Sequence, residues 1–194
     1  MSQKSKLAKV QYEIQENVTY ELKDKDGNIK PIFQENGLFR FLMNHNILSP
    51  HAPKIPFLLG HWSTEKKVPN LMTNAGFAGV ASRINGSGAE AAFTYIATGT
   101  GTTAAAAADT TLQTELSTLG LSRVSATASR VTTTQTNDTA QLATTFTVTG
   151  TAAVTESGAL NAASAGVLLC RQVFSAINVV NGDSLTITWK VKAA

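Results

Sequence analysis

His45, His51 and His61 are the only histidines of this chain, and imidazole is the side chain best suited to hold zinc or to move a proton near neutral pH. Their spacing fits no zinc pattern, and Cys170, the single cysteine, is remote in sequence. Convergence with Glu35 or Glu65 would be needed to build a metal site, so these read as ordinary surface or partly buried histidines. Asp24-Lys25-Asp26-Gly27-Asn28 resembles the opening of a calcium loop, with Glu35 at the twelfth position. The glycine stands at position four where such loops need it at six, and Pro31 interrupts the run. A turn explains the same residues.

Nucleophilic and phosphate chemistry fare no better. No Gly-x-Ser-x-Gly elbow is present, and Gly99-Thr100-Gly101-Thr102-Thr103 lacks the later glycine and lysine of a phosphate loop. The acids after residue 84 are Glu90, Asp109, Glu115, Asp138, Glu156 and Asp183, several of them in turn-like stretches where Asp serves the local backbone. The sequence therefore points to a protein that is not an enzyme and takes no cofactor or metal.

The elements that position these residues divide by composition. All five prolines and all three histidines lie at or before Pro69, and the chain beyond it is built largely of Thr, Ala, Ser, Val, Leu and Gly. Two regions are expected: an N-terminal arm, hairpin and attachment region over 1–69, and a β module with a leading helix over 70–194. Formal net charge is +3, distributed as +4 over residues 1–83 and −1 over the remainder. The excess starts with Lys4, Lys6 and Lys9, a short basic arm that can dock on an acidic protein surface or on phosphate, though such an arm is more often a solvated tail. His61-Trp62 beside Glu65-Lys66-Lys67 reads equally as an exposed interface anchor or as a Trp covering the end of the core; on the first reading Trp62, Lys66 and Lys67 join the three leader lysines as candidate partner-binding residues. Aromatics are not interleaved with basic residues as a nucleic-acid platform requires. No apolar run reaches membrane-spanning length; the longest of note is Ile55-Pro56-Phe57-Leu58-Leu59. Met1 to Val10 is polar, which reads as a chain made without a secretion signal. Val167-Leu168-Leu169-Cys170 suggests a buried thiol.

Periodicity predicts a hairpin over residues 10–33 turning at Asp24–Asn28, a helix over 34–46, and a proline-stiffened connector over 44–56. A second helix is expected from Leu71 to Ile84, ended by Asn85-Gly86-Ser87-Gly88, and a short helical stretch after Asp109 carrying Leu112, Leu116 and Leu119. Strands are expected over 92–98, 123–135, 140–149, 154–160, 167–174 and 184–191, with Thr136–Thr139 closing the clearest hairpin. The fold class is mainly β: an antiparallel β-sandwich, jelly-roll or immunoglobulin-like, with one or two short helices. Threonine keeps strand propensity on a wetted face. A module with no proline and few charges has little to blunt its edges, so either bulges and loops protect them or neighbours cover them in an assembly, and the second reading, with a homo-oligomer, is the one expected.

Thr73-Asn74-Ala75-Gly76, Ile84-Asn85-Gly86-Ser87-Gly88 and Phe93–Thr103 form a series with Thr136–Gln141, Val154–Ala163 and Ile177–Trp189. Together these blocks, spanning about residues 70–192, resemble structural proteins of tailed bacteriophages, of the capsid-decorating or tail-fibre-like kind. The resemblance implies a non-enzymatic virion component made in the bacterial cytoplasm. Its partner would be the major capsid protein or another virion protein, held through the N-terminal region while the β module faces outward. A chain lacking residues 1–33 is then expected to fold but fail to join particles. The alternatives are a tail, neck or fibre component and a host-glycan-binding module.

Overall fold

The structure is a computed structural model that describes residues 16–88 and 90–192. Its first strand, β1 (Glu16–Lys23), is followed by β2 (Ile32–Glu35), helix α1 (Gly37–Asn44), β3 (Gly60–Ser63), β4 (Lys66–Pro69) and β5 (Leu71–Met72). Helix α2 (Asn74–Asn85) leads into β6 (Tyr95–Gly99), β7 (Val124–Ser125), β8 (Thr127–Val131) and β9 (Thr139–Thr147). The long strands β10 (Ala152–Leu160), β11 (Leu168–Val179) and β12 (Ser184–Lys192) complete the chain. The protein is mainly β, with antiparallel sheets ordered β4-β1-β12-β9-β8 and β5-β11-β10-β6-β7, and a separate β2-β3 pair.

Alternation builds the core. Val18, Tyr20 and Leu22 on β1 and Leu185, Ile187 and Trp189 on β12 are buried, and they share one apolar cluster with Val154, Phe174 and Ile177 of the other sheet. Polar atoms bridge the two layers inside this core. Tyr20 Oη lies 2.7 Å from Ser157 Oγ, and the Tyr20 and Phe174 rings are 4.4 Å apart. Burial drives the Tyr20 phenol well above its ordinary pKa, so it stays neutral. Thr145 and Thr186 pair through their hydroxyls at 2.8 Å on the exposed side of the first sheet, as strand-forming residues on a wetted face should.

Almost every residue of β11 is buried, because its outer face is covered as well as its inner one. The segment between β6 and β7 lies over part of that second face, where Leu112 packs with Ala97, Leu160 and Leu168. The region 32–63 covers another part with its own small core of Phe33, Phe39, Met43 and Leu59. Helix α2 closes on β11 through its first turn. Thr73 accepts from Gly76 N at 2.9 Å and donates to Leu168 O at 2.5 Å. A Cβ on Gly76 would sit 2.1 Å from Leu169 O, so only glycine permits this approach.

Several expectations need correction. The N-terminal hairpin does not form as a pair of strands: β1 pairs with β12 and β4, while β2 pairs with β3, leaving only a Lys23–Ile29 bridge at the turn. Burial of β1 between two long-range partners outweighs the local pairing that the turn suggests. The stretch after Asp109 is irregular, not helical, because its backbone bonds go to a strand residue; Leu116 N, for instance, donates to Thr98 O at 2.9 Å. The helix expected from Leu71 begins at Asn74, since Leu71 and Met72 pair with Arg171 and Cys170. The first sheet draws strands from both sides of Pro69: β1 and β4 lie before it, and β12, β9 and β8 after it. Removing residues 1–33 would therefore excise a strand from between two neighbours, and such a chain is not expected to fold.

Candidate attachment surface

Exposed apolar side chains are concentrated in one short part of the chain. Among the described residues, seven of the thirteen exposed large hydrophobics fall between Leu38 and Trp62. The amphipathic helix α1 buries Phe39 and Met43 and leaves Leu38 and Phe41 in water. It starts cleanly because the Asn36 side chain accepts from Phe39 N at 3.0 Å. Beyond the helix, Ile47, Ile55, Phe57, Leu58 and Trp62 are exposed as well.

Phe57 is 98% exposed, and the loop that carries it is held firmly. Its amide donates to Gly60 O at 2.8 Å, Leu59 N donates to Ile55 O at 2.9 Å, and Asn36 Nδ2 grips Leu58 O at 2.8 Å. Phe57 sits at φ +67°, a conformation that a bulky residue adopts only where its surroundings impose it. At the base, a Cβ on Gly60 would fall 2.2 Å from Gln34 O, so glycine is required where β3 crosses β2. Trp62 stands edge-on to Phe33, with ring centroids 5.6 Å apart, and Lys54 Nζ lies 5.7 Å from its ring. The tip is thus a pre-shaped apolar projection.

A buried ion cluster fastens this region to the sheets. Lys66 Nζ is fully buried, paired with Glu35 Oε2, and donates to Phe33 O and Ser175 O, each at 3.0 Å, and towards Ser175 Oγ at 2.5 Å. Ser175 Oγ also lies 3.1 Å from Glu35 Oε2. Desolvation lowers the Lys66 ammonium from its ordinary value to about 8, with the Glu35 carboxylate pulling the other way. Ala176 adds two further ties, donating from N to Pro50 O at 3.0 Å and accepting from Lys54 Nζ at 2.5 Å.

A second buried cluster holds the segment between β6 and β7. Glu156 accepts from the amides of Gly101, Gln113 and Thr114 at 3.0, 3.0 and 2.7 Å. Arg171 reaches it with Nε at 2.8 Å and spans to Asp109 at 2.7 Å. Every carboxylate oxygen of Glu156 is engaged by backbone donors and guanidinium, so this carboxylate works as a clamp.

The sequence-based candidates are scattered by this geometry. Lys66, read as an interface residue, is instead wholly internal, because the strand alternation of β4 turns it and Val68 inward. Lys67 is exposed, pairs with Glu65 at 2.5 Å, and has its backbone gripped by the Gln34 side chain. Trp62 is half exposed and belongs to the apolar region. Lys4, Lys6 and Lys9 lie outside the described residues. The histidines do not meet: His45 bonds back to Phe41 O at 2.9 Å, His51 and His61 are exposed, and Glu35 is committed to Lys66. Among the described residues no three His, Cys, Asp or Glu side chains are grouped as a metal would require. Asp24 accepts from the amides of Asp26 and Asn28, both at 2.9 Å, which accounts for the calcium-like stretch as a turn.

Phe57 and Leu58 are not among the sequence-based candidates. Their signal is present in Ile55-Pro56-Phe57-Leu58-Leu59, an apolar run inside a proline-bearing connector too irregular to enter a sheet. No protein-family model, curated protein or solved structure matches the chain.

Proposed function

We propose that this chain is a non-enzymatic structural protein of a tailed-phage virion, a capsid decoration or cement protein that grips the shell through its 37–62 region. On this reading the two sheets form a sandwich of the jelly-roll or immunoglobulin-like kind, and it is this body that faces outward. The observation that carries the proposal is the fixed apolar tip. A fully exposed phenylalanine on a loop tied down by backbone and side-chain hydrogen bonds is organised for contact before any partner arrives, which reduces the entropy lost on binding. Clustered aromatic and aliphatic anchors of this kind carry most of the affinity in protein interfaces. The Thr-rich outer face of the first sheet suits a surface left in water.

On this reading apolar burial is the principal source of attachment, and the charge of the basic leader is secondary. Phe57→Asp and Leu58→Asp, made together in the full chain, are expected to abolish incorporation into particles while leaving thermal unfolding unchanged. Normal incorporation of that variant would overturn the proposal. Copy number relative to the major shell protein in purified particles separates decoration from a tail, neck or fibre position, since bound copies follow the symmetry of the site they occupy.

A further inference from the structure

Helix α2 and strands of both sheets enclose a cavity of about 300 Å³. Val80 and Phe93 line it together with Leu142, Leu169 and Val191 from the strands. Gly79 lets Phe93 lie against the helix, since a Cβ there would fall 2.7 Å from the tip of that ring. Well-packed interiors hold few voids larger than a water molecule. This one has room for about ten water- or methylene-sized groups at about 30 Å³ each.

Only two of the eleven lining side chains are polar, Arg83 and Trp189. Both can donate hydrogen bonds and neither can accept. Trp189 is completely buried, yet its Nε1 has no acceptor among the described residues, which is rare for a buried indole. Arg83 is exposed in the last turn of α2, and among the described residues its guanidinium makes no ion pair or hydrogen bond. Ile84 beside it is 82% exposed and also on the lining, so this end of the helix marks the mouth.

That combination restricts the chemistry of a ligand. An amine would bring donors to a lining whose polar side chains only donate. A plain hydrocarbon would bury well and leave both donors unmatched. An ionised carboxylate on an aliphatic chain brings acceptors, no donors, and a charge opposite to that of Arg83. We propose that this cavity binds a medium-chain aliphatic carboxylate of about eight to ten carbons, its chain among the apolar side chains and its oxygens accepting from Arg83 and Trp189 Nε1. None of the lining residues belongs to the 37–62 region, so this site goes beyond the attachment reading and is independent of it.

The test is calorimetric titration of the full chain with hexanoate, octanoate, decanoate, dodecanoate and tetradecanoate, each below its micellar concentration. Affinity is expected to rise about fourfold per methylene, in keeping with the burial of each group, and to level off beyond decanoate, where the cavity is full. No saturable binding of decanoate, or a rise continuing unbroken to tetradecanoate as on an open apolar surface, would overturn the proposal. The indole N–H proton signal of Trp189, told from that of Trp62 with Trp62→Phe, is expected to move downfield as decanoate binds; a signal unmoved at saturation counts against the site. Arg83→Met changes an exposed residue and is expected to weaken decanoate about three- to fivefold, while decyltrimethylammonium is expected not to bind. Undiminished decanoate binding by Arg83→Met, or binding of the cationic amphiphile as tight as that of decanoate, rules out a carboxylate as the ligand.

Discussion

Two buried ion clusters flank the same strand, and they solve the problem of an internal charge in different ways. At one site on β11, Arg171 shares Glu156 with three backbone amides, so each carboxylate oxygen has partners. At the other, beside Ser175, Glu35 meets Lys66 through one oxygen while Oε1 is buried with no partner among the described residues. The first cluster spreads its charge over a rigid fork and fixed dipoles. The second concentrates it on one ammonium, which is surrounded by acceptors and can lose its proton. One clamps a loop, and the other fixes the 32–63 region to the sheets, so the more delicate arrangement sits beneath the proposed binding surface.

The contrast is broken most severely by Lys66→Met. It leaves Glu35 as an uncompensated internal charge and is expected to lower unfolding free energy by about 3–5 kcal/mol. Adding Glu35→Gln should restore a large part of that loss; urea unfolding of the two variants checks both. Arg171→Met is expected to cost less, about 1.5–3 kcal/mol, because three amides still solvate Glu156 after the guanidinium is gone. Equal losses at the two sites in the same urea experiment would show that the amides contribute nothing.

The smallest effect is on pH dependence. Lys66 in the folded chain lies at about 8, below its ordinary value of 10.5, so the unfolded chain binds more protons between those limits. Stability is therefore expected to rise with pH from about 8 towards 10. Burial lowers Lys54 as well, and that contribution has the same sign. Comparing urea midpoints at about pH 7.5, below this window, and about pH 9.5, well inside it, for the native chain and Lys66→Met isolates the Lys66 share. Arg171→Met leaves Lys66 and its partners Glu35, Phe33 and Ser175 in place, so that variant should retain the rise.

Legibility in the sequence tracks the range of the interactions. The β8–β9 hairpin, the strands β10 to β12 and both helices can be read because alternation, turns and caps are local. Thr73, for example, caps α2 with the residue three positions on. The pairing of β1 with β12 joins residues more than 160 positions apart and leaves no local trace beyond alternation. Lys66 illustrates the limit for sites: its charge suggests a surface, and only its inward parity on β4 and the approach of Glu35 and Ser175 from other elements make it internal. Glu156 and Arg171 carry a readable hint, being charges within strands otherwise poor in them.

The upright Phe57 has a consequence for the protein before it meets a partner. An apolar tip that cannot fold back against its own surface remains available to every other copy in solution. Purified material should therefore show reversible, concentration-dependent association that strengthens with sulfate, as contacts made by excluding water do. During synthesis the same property sets a time limit on the proposed attachment, because a chain that meets its partner late will already have met its sisters.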